Sequence, residues 1–442
     1  AYHDPNRSYG SGTRTPRPPR DRKKGRPEVR QGPDVVTKSE KTRERLLCAG
    51  EKVFSERGFH AASVSEICQR AGLANGTFYR YFESKVEIFA TLVERLQRAL
   101  CDVIARAAES EASEDAALIG AYRDVLASVE RDKALYLVGR SAESMQMGIH
   151  RHFRASLARS LMGIIQRGIQ AARLRPVHPE TAAYMVLGMI EFAVMRYILW
   201  EPGSLTENVL QTLDTLILKG YDTGTPLPLA QPSEERPAPE DRKDDPELEG
   251  GEATRQGLLS SAERLFGQAG FHQTAISGIT YLAGVGQGTF YLHFPSKVAI
   301  LAELVREINR RFRDEEHRAL AGLTDRREIE RVGFRTFFRF IGVHRGAYRI
   351  LREAELVDPE TGRWYYERLA RGYVRGLRKG MDVGQIRSMG VEALAYALLG
   401  IGHSVALWKL NDAGEGVEHV VSETVVRDLL DILERGIAFE RP

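Results

Sequence analysis

The sequence predicts an all-α protein made of two copies of one unit. Apolar residues recur at helical spacing along most of the chain, and the Val/Ile/Thr alternation typical of strands is almost absent. The octapeptide NGTFYRYF at residues 75–82 returns as QGTFYLHF at residues 287–294. Thr42 aligns with Thr254, 212 positions later, and nearly half of the residues from there to position 94 match. A repeating unit of about 180 to 190 residues is far too long for a solenoid.

Charge is distributed unevenly, although the net charge of +3 over 442 residues is too small to indicate a partner. Residues 1–40 are rich in Arg, Pro and Gly, so we expect a disordered basic arm there. Residues 223–252 are acidic and rich in Pro, which predicts a linker between the two copies. The three cysteines, an odd number, favour thiols in a reducing compartment over a disulfide framework. They form no CxxC pair, which argues against structural zinc.

The first copy opens with four predicted helices. An apolar face between residues 46 and 54 ends at Gly58, a residue type that commonly stops helices. The letters SVSE then indicate a capping box, in which Ser63 accepts an early backbone N–H and Glu66 reaches back. Gly72 ends this second helix, a short third helix carries residues 75–81, and Ser84 caps a fourth that runs to about residue 101.

Two helices joined by a tight glycine turn, the second of them short and polar, favour a helix-turn-helix. Small residues at Ala74 and Gly76 would let the short helix approach a DNA groove closely. Asn75, Thr77 and Arg80 carry hydrogen-bonding groups that could reach base edges. The phenylalanines of the octapeptide stand four apart in both copies, which predicts that they are core anchors.

The stretches ERGFHAASVSEICQRAGLANGTFYRYFESKVEIF and QAGFHQTAISGITYLAGVGQGTFYLHFPSKVAIL resemble the DNA-binding domain of TetR-family transcriptional regulators. The resemblance rests on the Gly-Phe, Ala-Gly, Gly-Thr-Phe-Tyr, Phe and Ser-Lys landmarks, in that order in both copies. By motif position it implies that the first copy contacts DNA through Ser63, Ala74, Asn75, Gly76, Thr77, Tyr79, Arg80, Tyr81 and Lys85. In the second copy it implies contacts from Thr274, Gln287, Gly288, Thr289, Tyr291, Leu292, His293 and Lys297. The tyrosines, His293 and the two lysines would bind phosphates, and Thr274 would replace Ser63 beside Ala275.

The resemblance also implies an architecture. Each copy would hold an N-terminal helix-turn-helix domain and a helical ligand-binding and dimerisation domain. Family members dimerise through a four-helix bundle, so here the helices at 181–200 and 205–220 would pack on those at 391–408 and 418–439 as an intramolecular pseudo-dimer. The expected domains are the arm (1–40), the first DNA-binding domain (41–101), the first ligand domain (102–222), the linker (223–252), the second DNA-binding domain (253–314) and the second ligand domain (315–440).

The two reading surfaces differ, because Asn75 is matched by Gln287 and Arg80 by Leu292. The second copy could read a different half-site, supply mainly backbone affinity, or have become a packing module. The leading hypothesis is a ligand-responsive repressor that reads an asymmetric operator. The alternative is a sensor or scaffold that acts through protein partners after its DNA-binding surfaces have weakened.

A pocket for a small apolar or amphipathic effector is predicted from two clusters, for which ordinary core packing is the alternative. The candidate lining residues are Met145, Met162, Met189, Phe192 and Met195 in the first copy and Trp364, Tyr373, Tyr396 and His403 in the second. Glu191 and Arg196 lie inside an apolar helix and would orient the ligand or bridge the interface. Glu143 and Glu355 follow Arg140 and Arg352 by three residues, which predicts an ion pair within each helix.

No catalytic constellation or metal-ligand spacing stands out, so we expect a DNA-binding protein without a cofactor, a metal or an enzymatic activity. The apolar run at 181–200 is just long enough to span a membrane, but the charges inside it favour a buried interface helix. The expected partners are therefore double-stranded DNA and the effector, with no membrane, and further homodimerisation of the chain stays open. The expected location is a bacterial cytoplasm, with the protein on the nucleoid when bound to its operator.

Overall fold

The structure is a computed structural model that describes residues 37–109, 113–142, 148–225, 250–412 and 421–439. The predicted basic arm, up to residue 36, and residues 226–249 of the predicted linker lie outside these ranges. The described residues from Arg45 onward form one compact unit. Residues 37–44, the described part of the preceding unit, are the start of the first helix.

The described residues are helical and form no β-sheet, which confirms the predicted fold class. The first repeat contains α1 (Lys38–Ala61), α2 (Val64–Ala71), α3 (Asn75–Phe78), α4 (Lys85–Glu109), α5 (Glu114–Arg131), α6 (Lys133–Ser141), α7 (Ile149–Gln170), α8 (Pro179–Ala193), which continues as a π-helical turn (Val194–Trp200), and α9 (Glu207–Lys219). The second repeat contains α10 (Gly251–Ala269), α11 (Ile276–Leu282), α12 (Gln287–His293), α13 (Lys297–Leu320), α14 (Arg326–Val343), α15 (Arg345–Val357), α16 (Pro359–Asp382), α17 (Val391–Asp412) and α18 (Glu423–Arg435).

Several helix boundaries differ from the sequence prediction. The helix α1 begins at Lys38 because Thr37 and Glu40 form a capping box, in which each side chain accepts the other's backbone N–H. It runs past Gly58, although that glycine has a φ of 70° and interrupts the helical geometry where a stop was predicted. The helix α4 continues beyond residue 101 to Glu109, because its apolar face stays buried along the whole length.

The repeat seen in the sequence is also a repeat of structure. The helices α4, α5 and α8 begin at residues 85, 114 and 179, and their counterparts α13, α14 and α17 begin 212 positions later in each case. Positions in the two repeats that differ by 212 are therefore called equivalent below. The offset holds to the start of α17, whereas α18 follows α9 by a slightly larger one.

The two repeats pack through α8 and α17, with α9 and α18 alongside them. The closest approach is at the equivalent glycines Gly188 and Gly400, where a Cβ on either would lie 2.2 Å from the carbonyl oxygen of the other. Two backbones can approach this closely only where both residues lack a side chain. The helices that were predicted to face each other, at 181–200 and 391–408, are thus in direct contact.

A reciprocal set of backbone hydrogen bonds joins the ends of α9 and α18. Tyr221 N donates to Leu433 O (2.8 Å), and Ile437 N donates to Ile217 O (2.9 Å). Gly220 and Gly436, with φ values of 68° and 67°, end the two helices at this point. Because each repeat donates to the other in the same way, the arrangement has local pseudo-two-fold symmetry.

Two helices in the described ranges are long and apolar enough to cross a membrane, Pro179–Trp200 and Val391–Leu410. Their apolar windows are 83% and 78% buried inside the protein. The contact between the repeats therefore accounts for the hydrophobicity of both helices.

The glycine crossing predicts a specific sensitivity to an added methyl group. Gly188→Ala should lower the free energy of unfolding by about 1–3 kcal/mol, because the Cβ forces the two backbones apart. Gly163→Ala in α7 is the matched control, since its Cβ would meet nothing closer than Arg167 Nη1 at 3.8 Å. That control should leave stability unchanged or raise it by up to about 1 kcal/mol. Urea denaturation measures both, and equal effects of the two substitutions would contradict the tight crossing.

Candidate nucleic-acid interface and effector cavity

The first head, residues 45–92, builds its helix-turn-helix as a short capped helix followed by a glycine turn. Ser63 Oγ accepts the backbone N–H of Glu66 at 3.1 Å, as predicted. The Glu66 carboxylate does not complete the predicted capping box, because it forms an ion pair with Arg57 (2.7 Å). Gly72, with φ 64°, ends α2 and turns the chain into α3.

The second head, residues 257–304, lacks that cap. Ala275 occupies the cap position of α11 and makes no side-chain hydrogen bond. The prediction that Thr274 replaces Ser63 is wrong, because the Thr274 hydroxyl donates to Gly270 O (2.8 Å) and the residue is buried. Thr274 is for the same reason unavailable for the DNA contact that was predicted for it.

The predicted reading residues lie on the outer side of both heads. Phe78 and Phe82, like Phe290 and Phe294, are buried and anchor the segment to the head, as predicted. The residues before and between these phenylalanines are exposed or half-buried: Ala74, Asn75, Gly76, Thr77, Tyr79, Arg80 and Tyr81 in the first head, and Gln287, Gly288, Thr289, Tyr291, Leu292 and His293 in the second.

The two reading segments also differ in conformation and chemistry. The helix α3 ends at Phe78, and residues 79–81 form turns, whereas the prediction extended the helix to residue 81. In the second head, α12 stays helical through His293. The exposed side chain at one equivalent position is Arg80 in the first head and Leu292, 83% exposed, in the second.

Lys85 and Lys297, which are predicted to bind phosphates, donate hydrogen bonds to backbone carbonyls of their own heads. Lys85 Nζ donates to the carbonyls of Phe59 and Ala62, both at 2.8 Å. Lys297 Nζ likewise donates to Phe271 O (2.7 Å) and Thr274 O (2.8 Å). Each ammonium group also lies over the phenylalanine ring of its own head, and burial lowers the pKa of both lysines. These lysines therefore hold the turn before the second helix of each head, a local role that the family motif did not indicate.

The two heads meet at a pair of equivalent histidines that the sequence reasoning did not single out. The imidazoles of His60 and His272 stack with centroids 3.9 Å apart and planes inclined by 20°. Both residues are exposed, and their rings cover each other only where they stack. Burial, with smaller contributions from the charges of His60 and Lys297, lowers the pKa of His272 to about 4. Only the repetition of the Gly-Phe-His triplet could have pointed to this contact.

A cavity of about 310 Å³ lies within the second repeat, between α13, α14, α16 and α17. Its walls combine aromatic rings with charged groups, and they include Phe312, Arg313, Glu316, Arg326, Glu330, Phe334, Phe337, Tyr373, Arg375 and His403. Two predicted ligand residues, Tyr373 and His403, line it, whereas Trp364 and Tyr396 do not. In the described ranges no group of three His, Cys, Asp or Glu side chains is placed to hold a metal ion.

Buried ionic contacts form one wall of this cavity. Arg326 Nε donates to Glu330 Oε1 at 2.7 Å, and Tyr373 donates its hydroxyl to the other carboxylate oxygen. Arg326 and Glu330 are 8% and 1% exposed, so their charges compensate each other inside the protein.

The equivalent region of the first repeat is filled by apolar side chains. The positions equivalent to Glu316, Glu330, Gly333, Tyr373 and Gly402 hold Ile104, Leu118, Ala121, Leu161 and Ile190, and all five are buried. The described methionines of the first repeat do not line the cavity of about 310 Å³. Met189 is buried in the core, and Met162 is half-buried against it. Phe192 and Met195 join the apolar core of the second repeat and border a space of only about 30 Å³. Met145 lies outside the described residues.

Polar residues of the interface mostly join the two repeats. Arg196 bridges to Glu392 of the second repeat (2.7 Å). Glu191 instead pairs with Arg154, whose guanidinium also donates to Ser404 (2.6 Å). Arg140 reaches across to Glu355 (2.5 Å), which also accepts Arg352 (2.7 Å) as predicted within its helix. The predicted partner of Arg140, Glu143, lies outside the described residues.

A continuous series of contacts runs from the cavity to the second head. His403, in the cavity wall, shares a hydrogen bond of 2.9 Å with the Tyr348 hydroxyl on α15. The same helix carries Arg349, which donates to Gln268 O (2.9 Å), and Glu353, which accepts from Phe271 N (2.5 Å). Residues 268–271 lead directly into His272, so α15 connects the cavity wall to the contact between the heads.

Known proteins are similar to this chain in the motif of each head and in the length of one repeat. The family model for bacterial regulatory proteins of the tetR family matches residues 46–92 and 258–304. An uncharacterized HTH-type transcriptional regulator of Bacillus subtilis, YdgC, is 30% identical over 193 residues, which cover 40% of this chain and 94% of that protein. The chain belongs to the TetR family. It holds two of the family's DNA-binding domains in tandem.

Other similar proteins match parts of the chain. The HTH-type transcriptional regulator UidR of Escherichia coli K12 is 40% identical over 68 residues, which cover 15% of this chain and 35% of that protein. The transcriptional activator FasR of Mycolicibacterium smegmatis is 42% identical over 53 residues, covering 12% of this chain and 24% of that protein. The solved structure of the regulator FadR from Bacillus subtilis in complex with stearoyl-CoA is 24% identical and covers 39% of this chain and 97% of its own, with a TM-score of 0.35.

The histidine stack of this TetR-family protein predicts a pH dependence with a definite sign. The pKa of His272 lies near 4 in the folded protein and near its ordinary 6.5 in the unfolded chain. The unfolded state therefore binds more protons between these values, so the contribution of His272 to stability is complete above about pH 6.5 and is lost as the pH falls toward about 4.

Urea denaturation of wild type and His272→Gln at about pH 7 and about pH 5 measures this contribution. The variant should lose less stability on acidification than wild type, and His317→Gln, at an exposed position of α13, is the control that should keep the wild-type loss. If the His272→Gln variant lost as much stability on acidification as wild type, the stack would not disfavour the protonated imidazole.

Proposed function

We propose that the chain is a ligand-responsive transcriptional repressor of a bacterial cytoplasm, where it associates with the nucleoid through an asymmetric operator. Both heads contact DNA, and the two repeats act as an intramolecular pseudo-dimer. The observation that carries this proposal is the pair of equivalent exposed residues, Arg80 and Leu292, on two heads joined at His60 and His272. A two-fold symmetric dimer must read a palindrome, whereas two different heads on one chain are free of that constraint.

Base preferences follow from the exposed side chains. A guanidinium matches the O6 and N7 acceptors of guanine, so Arg80 favours a G·C pair in the first half-site. Leu292 can form no hydrogen bond with a base, but an apolar side chain packs on the 5-methyl group of thymine. Asn75 and Gln287 both carry amides suited to adenine, with different reach. The second half-site is therefore expected to be richer in A·T pairs at the position that Leu292 meets.

The cavity of the second repeat is the proposed effector site, and the series of contacts through α15 is the proposed route to DNA. An effector shifts a conformational equilibrium only if it binds one state better than the other. A ligand that moves His403 changes the position of Tyr348, and α15 transmits the change through Glu353 to the turn before His272. The effector would in this way alter the position of the second head on its half-site.

A second candidate function is supported by one specific observation. Tyr281, Leu282, Tyr291 and Leu292 are 87%, 40%, 57% and 83% exposed, which gives the second head a more apolar surface than its counterpart has at Gln69, Arg70, Tyr79 and Arg80. Exposed apolar patches often mark protein interfaces. The second head would then hold a protein partner while the first head alone binds DNA, and the DNA experiments below separate these functions.

The two heads should show separate sequence preferences when selected operators are tested with substituted chains. Arg80→Ala should relax base preference at one or two positions in one half-site only, at a cost of about 1–3 kcal/mol if the contact to guanine is bidentate. Electrophoretic mobility shifts on operators mutated base by base measure this change. Selected sites that are perfect palindromes bound by two chains, with only the first head on each half, would contradict reading by both heads.

Leu292 can be tested by removing a single methyl group from the DNA. Replacing thymine by deoxyuridine in the second half-site should weaken binding by about 1 kcal/mol, because one methyl contact is lost. The Leu292→Ala variant should bind the thymine and the deoxyuridine operators equally. The control variant Leu282→Ala, which changes an exposed leucine on α11, should discriminate between the two operators as wild type does. If no thymine in that half-site matters and Leu292→Ala binds DNA like wild type, the apolar surface is better explained as a protein interface.

A further inference from the structure

The cavity of the second repeat differs from its packed counterpart by more than empty volume, because its walls carry charges that a purely apolar ligand would not need. Glutamates Glu316 and Glu330 stand where the first repeat has Ile104 and Leu118. Burying a carboxylate is costly unless a partner compensates it. Charged groups at positions that can equally hold aliphatic side chains therefore indicate a polar ligand group or an internal ion pair.

An internal ion pair accounts for Glu330 but not for Glu316. Glu330 is bound by Arg326 and by the Tyr373 hydroxyl, so its charge is already compensated. Within the described ranges, neither a hydrogen bond nor an ion pair within 4.0 Å is found for the Glu316 carboxylate, and the charges of Arg313 and Arg326 act on it only from a greater distance. Burial raises the pKa of Glu316, which is the expected result for a carboxyl group that faces a cavity rather than water.

The remaining positive charges of the walls are placed less favourably for a ligand. Arg326 is committed to Glu330 and lies over the Tyr373 ring, 5.0 Å from its centre. Arg375 is exposed and Arg313 is half-buried, one turn before Glu316 on α13. Glu316 is thus a wall carboxylate without a direct ion pair, and the charges of Arg313 and Arg326 offset it only in part.

The apolar part of the walls defines the rest of the ligand. Five aromatic rings contribute to the walls, those of Phe312, Phe334, Phe337, Tyr373 and His403. Aromatic faces attract cations as well as apolar groups. The cavity volume of about 310 Å³ falls at the small end of the range for ligand pockets.

From this geometry we infer that the cavity binds a compact organic amine, with its ammonium group on Glu316 and its apolar body among the phenylalanine rings. This inference names the chemical class of the effector and so rests on the proposed role of the cavity. It excludes fatty acids and other simple carboxylates as preferred ligands, because these would place a negative charge beside Glu316.

Three probes with one skeleton test the inference by calorimetry on the full chain without DNA: phenylbutylamine, phenylbutanol and phenylbutyrate. The amine should bind about tenfold tighter than the alcohol, which corresponds to one charge-assisted hydrogen bond, and the carboxylate should bind weakest. The Glu316→Gln variant should bind the amine no more tightly than it binds the alcohol. The control Asp314→Asn, an exposed acidic residue on the same helix, should keep the tenfold preference.

A second variant locates the binding. A Cβ on Gly333 would meet no atom within 4 Å, although the residue lines the cavity, so Gly333→Leu should fill the space without disturbing the fold. This variant should lose binding of the amine and the alcohol while its helical circular dichroism and thermal transition stay like those of wild type. Amine binding that survives Gly333→Leu would place the amine elsewhere and overturn the inference.

The other possible results of the calorimetry also support or overturn the inference. If phenylbutyrate bound tightest, Arg313 rather than Glu316 would recognise the ligand, and the inference would be overturned. Equal affinity for all three probes, or binding of none, would overturn it as well. Amine binding that depends on Glu316 but leaves operator affinity unchanged would support the ligand class and contradict the proposed regulatory link through α15. The failure of one proposal is therefore distinguishable from the failure of the other.

Discussion

The contact between α8 and α17 is the constraint on which the rest of the structure depends. Each helix is apolar around most of its circumference, so neither would be stable in water unless it were covered by the other. The glycines at their crossing let the backbones approach, and the apolar side chains on either side can then interlock. This crossing, together with the paired ends of α9 and α18, sets how the two repeats face each other and hence where the two heads stand.

A duplicated chain allows the two halves of such an interface to diverge, which a dimer of identical chains does not. In a homodimer, a charge introduced into the core of one subunit appears in both. Here the second repeat carries the buried Arg326 and Glu330 pair, and the first keeps Leu118 at the position of Glu330. A fully packed core is the more stabilising arrangement, and a buried ion pair is often neutral or costly by comparison. The second repeat therefore has the less stabilising arrangement at the wall of its cavity.

The sequence predicted most of the fold because the information is local and repeated. Helical periodicity, the capping serines Ser63 and Ser84 and the glycine Gly72 each act within a few residues, and the octapeptide occurs twice. The phenylalanine anchors were predictable for the same reason. Such signals need no knowledge of which helices meet in space.

The site was predicted less well, because its properties depend on contacts between distant segments. The motif marks Lys85 as polar and near DNA, but its sequence does not show that the carbonyls of residues 59 and 62 already hold the ammonium group. The methionines of the first repeat suggested a pocket, although whether such side chains leave a space is decided by the residues opposite them. The histidine stack depends on the relative position of two heads 212 residues apart, which no local pattern encodes.

The backbone hydrogen bonds between the ends of α9 and α18 have a consequence for behaviour at low copy number. Partners on separate chains dissociate on dilution, because their association depends on protein concentration. When both partners belong to one chain, their effective concentration is set by the covalent connection between them and does not fall on dilution. The assembly of Tyr221 with Leu433 and of Ile437 with Ile217 is accordingly independent of how many molecules a cell contains. A few copies per cell, too few to maintain a weak dimer, would still present both heads together.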